Sequence, residues 1–230
     1  MNQPKIISAT DSAPITLTIS TRAHLKTFLE RVNPARGRLM FALDATASRQ
    51  PTWDSAAALT SEMFATVAAI GGLDLQLVYY CGDQCVAGRW LSDARALSAS
   101  MRSVMCQAGY TQIGRVLGHA QKENARERVN ALVLVSDACE EDPESLYTAA
   151  RELGELPLFL FQEGNDQRVG RIYAELAAIT KGAFCKFDSG AARRLADLLK
   201  AVAAFAAGGV KALAAQNSEA AKLLLTQVKK

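Results

Sequence analysis

Two kinds of apolar pattern alternate along this chain from Arg38 onward, and that alternation restricts its fold more than any other feature. Residues 39–43, 75–80, 131–136, 158–161 and 183–187 are short runs, apolar at nearly every position. Between them lie longer stretches whose apolar residues recur three or four positions apart. Ala56, Leu59, Met63, Val67 and Ile70 form one such stripe, and Ile172, Tyr173, Leu176 and Ile179 another. The first pattern is that of a strand buried on both faces, the second that of an amphipathic helix. Their alternation predicts a doubly wound α/β fold, a mostly parallel sheet with helices on both sides. Only a few residues around Gly82 and Asp83 separate the run at 75–80 from a shorter one at 85–90. Those two are expected to pair as a hairpin and supply one antiparallel edge strand.

Further helices are expected at about 94–105, 113–128, and 143–154, where Pro143 suits a first turn. Another, striped by Leu195, Leu199, Val202 and Phe205, follows the last strand. The domain organisation read from this is an N-terminal extension at 1–37, a domain at 38–207 and a C-terminal amphipathic helix at 208–230. The extension has room for a strand at 15–19 and a helix at 24–32. The C-terminal piece begins at Gly208-Gly209 and carries Val210, Leu213, Ala221, Leu224 and Val228 at helical spacing. It reads either as a helix packed on its own domain or as a partner-binding element.

Composition removes several classes of function. A net charge of +3 without a dense Lys/Arg block, an RNP pattern or a zinc-finger pattern predicts no nucleic-acid partner. The N-terminus lacks the order of a signal peptide, and no stretch is expected to span a bilayer; the most apolar, 201–210, is short and flanked by Lys200 and Lys211. Five scattered cysteines suit reduced thiols. Cytoplasmic placement is the resulting expectation. Cys81 and Cys85 lack the further ligands a zinc site needs, and Cys139 reads as a packing residue or one exposed near Asp137. His24 and His119 fall in helical stretches with no nucleophile context. Neither a G-x-G-x-x-G nor a G-x-x-x-x-G-K-S/T pattern supports nucleotide binding.

Chemistry concentrates where strands end. Asp44-x-Thr46-x-Ser48 follows the run at 39–43, Asp137 follows the run at 131–136, and Thr111 stands at a helix start. In a doubly wound sheet, ligands bind at the carboxyl ends of the strands, near the reversal of strand order. Carboxylate and hydroxyl oxygens without Cys or His suit a hard cation, magnesium, manganese or calcium rather than zinc.

These residues resemble the metal-ion-dependent adhesion site of von Willebrand factor A domains: Asp-x-Ser-x-Ser after the first strand, a distant Thr, and an Asp after the fourth strand. Residues 110–117 resemble that family's Thr-bearing helix start, 134–137 its Asp-bearing strand, and 180–184 the approach to its last strand. The likeness covers about residues 38–205 and is that of a stand-alone, bacterial-type intracellular member with a Rossmann-like fold. It implies Asp44, Thr46, Ser48, Thr111 and Asp137 as ligands of Mg2+ (or Mn2+ or Ca2+), the two aspartates binding directly or through water. It implies a non-enzymatic module that receives an Asp or Glu of a protein partner, with AAA-type ATPases and chaperone systems among the partner classes.

The departures from that pattern are Thr46 for Ser, Arg49 where an apolar residue is usual, and Ala138 where Gly is frequent. Arg49 could oppose a cation or pair with Glu140, Glu141 or Asp142. That acidic run has two readings, a helix N-terminus favoured by the macrodipole or a group tuning the metal. Two other functions stay open: an assembly subunit with a vestigial, metal-free site, and a metal-dependent hydrolase. The latter needs a general base, and the sequence names none beyond the two aspartates.

Overall fold

The apolar runs form the strands of a six-stranded sheet in the order β3-β2-β1-β4-β5-β6. In the computed structural model, the described residues are 36–46, 54, 72–188 and 192–228, all within the unit Arg36–Lys230. Residues 1–35 of the extension expected at 1–37, the helix striped by Ala56 to Ile70, and both Ser48 and Arg49 lie outside the described residues. The strands are β1 (Gly37–Asp44), β2 (Leu73–Cys81), β3 (Gln84–Leu91), β4 (Ala131–Ser136), β5 (Leu158–Glu163) and β6 (Ala183–Phe187). All neighbours are parallel except β2 and β3, the expected hairpin. The described helices are α1 (Ala94–Arg102), α2 (Ile113–Arg126), α3 (Pro143–Glu152), α4 (Gln167–Ile179), α5 (Ala192–Ala215) and α6 (Glu219–Val228).

Both faces of the central strands are buried, because successive side chains point to opposite sides of the sheet. Leu39, Phe41 and Leu43 of β1 join Val133, Val135, Phe159 and Phe161 under α1, α5 and α6. Met40 and Ala42 join Leu132, Leu134, Leu158 and Leu160 under α2, α3 and α4. Each of these side chains other than Ala42 contributes about 1.5–3 kcal/mol when taken fully from water, so the sheet centre is where the fold's stability concentrates.

Strand order reverses between β1 and β4: the chain leaves β1 toward β2 and β3 on one side, then returns to build β4, β5 and β6 on the other. Asp44 ends β1 and Asp137 follows β4 directly, so both carboxylates sit at that crevice.

Helix α2 brings Thr111 to the same place, and its far end is anchored away from it. Arg38 at the start of β1 lies with its guanidinium 3.9 Å from the centre of the Trp90 ring. The Trp90 indole donates to Glu123 Oε2 at 2.7 Å, and Arg38 and Arg126 both pair with the Glu123 carboxylate. Buried charges are tolerated when paired and hydrogen-bonded in this way. Burial lowers the pKa of His119, and its Nε2 lies 3.0 Å from Gln76 Oε1 within the same region.

The C-terminal residues pack on the sheet. Gly208 and Gly209 kink α5, with Gly209 at φ 65°, a conformation that glycine alone adopts readily. The helical stripe after them is broken again at Asn217, φ 47°, so it forms two pieces rather than one helix. Leu213, Ala221 and Leu224 are buried against the sheet. The Gln227 side chain accepts from Phe184 N at 2.9 Å and donates to Phe184 O at 3.1 Å. It thereby pairs with β6, an edge strand whose free groups would otherwise invite other chains. By length and composition, the helix at Arg193–Ala215 is long and apolar enough to cross a membrane. Its apolar side chains Leu195, Leu198, Leu199 and Val202 lie in the core beneath the sheet.

If α6 is part of this core, Leu224→Ala lowers unfolding free energy by about 2–5 kcal/mol, measured in urea. Leu223→Ala, at a side chain 37% exposed, serves as the control and is expected to change little.

Candidate metal centre

Asp44 is held at the end of β1 by two hydrogen bonds that use both of its oxygens. Oδ1 accepts from the Thr46 amide at 2.9 Å, which folds the loop back over the strand end. Oδ2 accepts from the Ser136 hydroxyl at 2.7 Å. Ser136 is the last residue of β4 and is fully buried. Its oxygen in turn accepts from the Tyr80 hydroxyl at 3.1 Å and from Ala138 N at 3.3 Å. The Tyr173 hydroxyl donates to Ala138 O at 2.7 Å. Both tyrosines are fully buried, and burial raises their pKa values well above the ordinary range, so they remain neutral donors. This chain of hydroxyls ties β1, β2 and β4 together beneath the carboxylate.

Thr111 is fixed by a reciprocal pair with the loop that follows β4. Its amide donates to Glu140 Oε2 at 2.8 Å, and its hydroxyl accepts from Glu140 N at 2.9 Å. The next acid does something different. Glu141 accepts from the Ile113 and Gly114 amides at 2.6 and 2.8 Å, so it supplies the cap of α2 that Gln112 does not. Burial raises its pKa, against the lowering pull of those two amides. Asp142 is the N-cap of α3, accepting from Ser145 N at 2.9 Å. The acidic run therefore divides: Asp142 serves the start of the helix that follows, as the macrodipole reading expects, Glu141 serves the start of α2 instead, and Glu140 serves the cavity.

That cavity has a volume of about 270 Å³ and is lined, among the described residues, by Asp44, Thr46, Ala108, Gly109, Thr111, Asp137, Ala138 and Glu140. Four of the five residues expected to bind metal thus meet at one place, and the fifth, Ser48, lies outside the described residues. No group of three or more His, Cys, Asp or Glu side chains suited to a metal occurs among the described residues. The donor set that does converge is mixed, two threonine hydroxyls with carboxylates. Such oxygen donors fit a hard divalent cation. Neither described histidine chemistry nor a thiol enters the lining: His119 stands against Gln76. Cys139 is buried rather than exposed, its thiol pushed up to about 11, and so is a packing residue.

Glu140 is the lining residue that sequence reasoning did not single out from its acidic neighbours. Its signal was present only as position: three residues past Asp137 and just ahead of the capping Asp142.

No protein-family model matches this sequence, and no curated protein does either. Solved structures do. A von Willebrand factor type A protein from Catenulispora acidiphila superposes with a TM-score of 0.60 at 17% identity, covering 74% of this chain and 42% of that one. An aerotolerance-related membrane protein from Bacteroides fragilis gives 0.51 at 17% identity, covering 68% and 95%. Proximal thread matrix protein 1 from the mussel byssus, with a zinc-occupied metal-ion-dependent adhesion motif, gives 0.51 at 15% identity, covering 73% and 45%. This chain spans less than half of the first and third of these. The described chain has the von Willebrand factor A fold, which its sheet order and antiparallel edge strand match.

Two outcomes follow from the geometry. Ser136→Ala leaves a buried carboxylate oxygen and the Tyr80 hydroxyl without their partner, and is expected to cost about 1–3 kcal/mol of stability in urea unfolding. Asp142→Ala is expected to lower the melting temperature at neutral pH. Hydrogen bonds from the Ser145 amide and hydroxyl hold the Asp142 pKa below its ordinary value, so its stabilisation is present above the unfolded pKa and vanishes as pH falls through the folded one. The melting curves of the two proteins should converge in that acidic range; a gap independent of pH would contradict the capping role.

Proposed function

We propose that this chain is a non-enzymatic interaction module that binds an acidic group of a protein partner through a divalent cation. The observation that carries the reading is the convergence of Asp44, Thr46, Thr111 and Asp137 on one cavity at the strand-order reversal. These residues, with Ser48, would hold the cation. When bound, it would supply a positive, oxygen-seeking centre to which a partner's carboxylate can coordinate.

The chain's own part is to present that centre and limit its neutralisation. Thr46 and Thr111 offer uncharged oxygens. Asp44 spends hydrogen-bonding capacity on Thr46 N and Ser136. Glu140 adds a third carboxylate to the lining, and its engagement with the Thr111 amide holds it on that wall. A partner carboxylate therefore competes with Glu140 for the positive centre. Glu140 also gives the hydrolase alternative a candidate base, so metal-dependent turnover of an ester, lost in Glu140→Gln, would transfer the assignment to that class.

Thermal unfolding with magnesium, manganese or EDTA tests the reading. A ligand bound by the folded state alone raises apparent stability, by about 2.7 kcal/mol at a hundredfold excess over Kd. A metal-dependent rise that disappears in Thr111→Ala is expected; no rise at millimolar metal favours the vestigial alternative. Glu140→Gln is expected to weaken metal binding while strengthening capture of free acetate by the metal-loaded protein.

A further inference from the structure

The cavity shares its Thr111 wall with a second hollow of about 340 Å³, lined by Gly82, Asp83, Tyr110, Thr111, Gln112, Arg115 and Glu141. We propose that this hollow takes an aromatic side chain two residues away from the acidic residue in the partner segment. The proposal rests on the metal-dependent reading above and extends it from a single acidic group to a two-point motif.

Three observations carry it. Tyr110 is 73% exposed, one of the large apolar side chains left open to solvent among the described residues, and it stands directly beside Thr111. Met105, 75% exposed, lies on the same loop. Exposed aromatic and methionine side chains beside a polar cavity are typical of protein-binding surfaces.

Arg115 supplies the second observation. Its Nη1 donates to Asp83 O and Gln112 Oε1, both at 2.8 Å. These acceptors are neutral, so they fix the guanidinium without cancelling its charge. The two acids of the hollow do not pair with it within ion-pair distance among the described residues, and Glu141 is engaged by the α2 amides. A fixed guanidinium and a tyrosine ring that line one hollow favour an aromatic face. A second carboxylate suits the hollow less well, because Asp83 and Glu141 already bring negative charge.

The third observation is that the wall is held before any partner arrives. Gln107 N donates to Ala45 O at 3.0 Å, and Gln112 Nε2 donates to Gly82 O at 2.9 Å. Gly109 packs so closely on Gly82 that a side chain there would collide with its backbone. Preorganised backbone reduces the ordering cost of binding. In an extended segment, side chains two residues apart point the same way, about 6.6–6.8 Å apart, so both can face one surface on which the two hollows share the Thr111 wall.

Calorimetric titration of the full chain in magnesium separates the outcomes. The probes are blocked peptides centred on Phe-Ser-Glu-Ser-Phe, Ser-Ser-Glu-Ser-Ser and Phe-Ser-Gln-Ser-Phe, which place the aromatic on both sides. The first is expected to bind about tenfold tighter than the second, and the third not to respond to magnesium. Tyr110→Ser and Arg115→Gln should erase the advantage of the first peptide while leaving the magnesium-induced thermal shift intact. Equal magnesium-dependent binding of the first two peptides overturns the aromatic hollow and leaves the metal reading standing. Absence of magnesium-dependent binding by either Glu peptide overturns both.

Discussion

The hydrogen bond from Ser136 to Asp44 joins the two halves of the sheet at the place where strand order reverses. On one side of it the chain builds β2 and β3, on the other β5 and β6. Without a tie there, the carboxyl ends of β1 and β4 would meet only through their backbone ladder and apolar packing such as that of Leu43 with Val135. With it, a carboxylate is held buried at the crevice and backed by the neutral hydroxyl of Tyr80. The loops then have a fixed floor on which to arrange Thr46, Thr111 and Asp137.

From that floor the acidic run explains how the rest of the wall is placed. Glu141 caps α2 and so fixes the helix start beside Thr111, while Glu140 clasps the threonine itself. At the other end of α2, Glu123 locks onto Arg38 and Trp90. The helix is thus pinned at both ends, which keeps Thr111 from drifting with the long loop that precedes it. Three neighbouring carboxylates that look alike in the sequence do three jobs because each meets a different set of amides.

Much of the fold was legible in the residues. Runs such as Ala131–Ser136 are apolar at nearly every position, and burial on both faces leaves little else they can be. The hairpin followed from the short turn at Gly82-Asp83, and Asp44 and Asp137 were placed by where their strands stop. Less legible were features made by residues far apart in sequence. Nothing local marks Gln227 as the cover of an edge strand, since its role depends on α6 turning back to β6 after the break at Asn217. The cluster of Arg38, Trp90 and Glu123 likewise joins three elements, and Glu140 could not be told from its neighbours until the loop geometry separated them. Thr111 is visible in the sequence as a threonine at a helix start, but its role as a ligand comes only from the family likeness, because a lone threonine there carries no metal signal of its own.

A cation bound between the ends of β1 and β4 is distinguished from one held on the acidic surface generally by paramagnetic manganese, read through the backbone amide resonances of the folded chain. Substoichiometric manganese is expected to broaden Ala45, Gly109, Thr111 and Ala138 first, and Thr111→Ala to remove the effect. Broadening centred on exposed acids such as Glu152 or Glu219, with the cavity amides unchanged, would contradict binding between the strand ends.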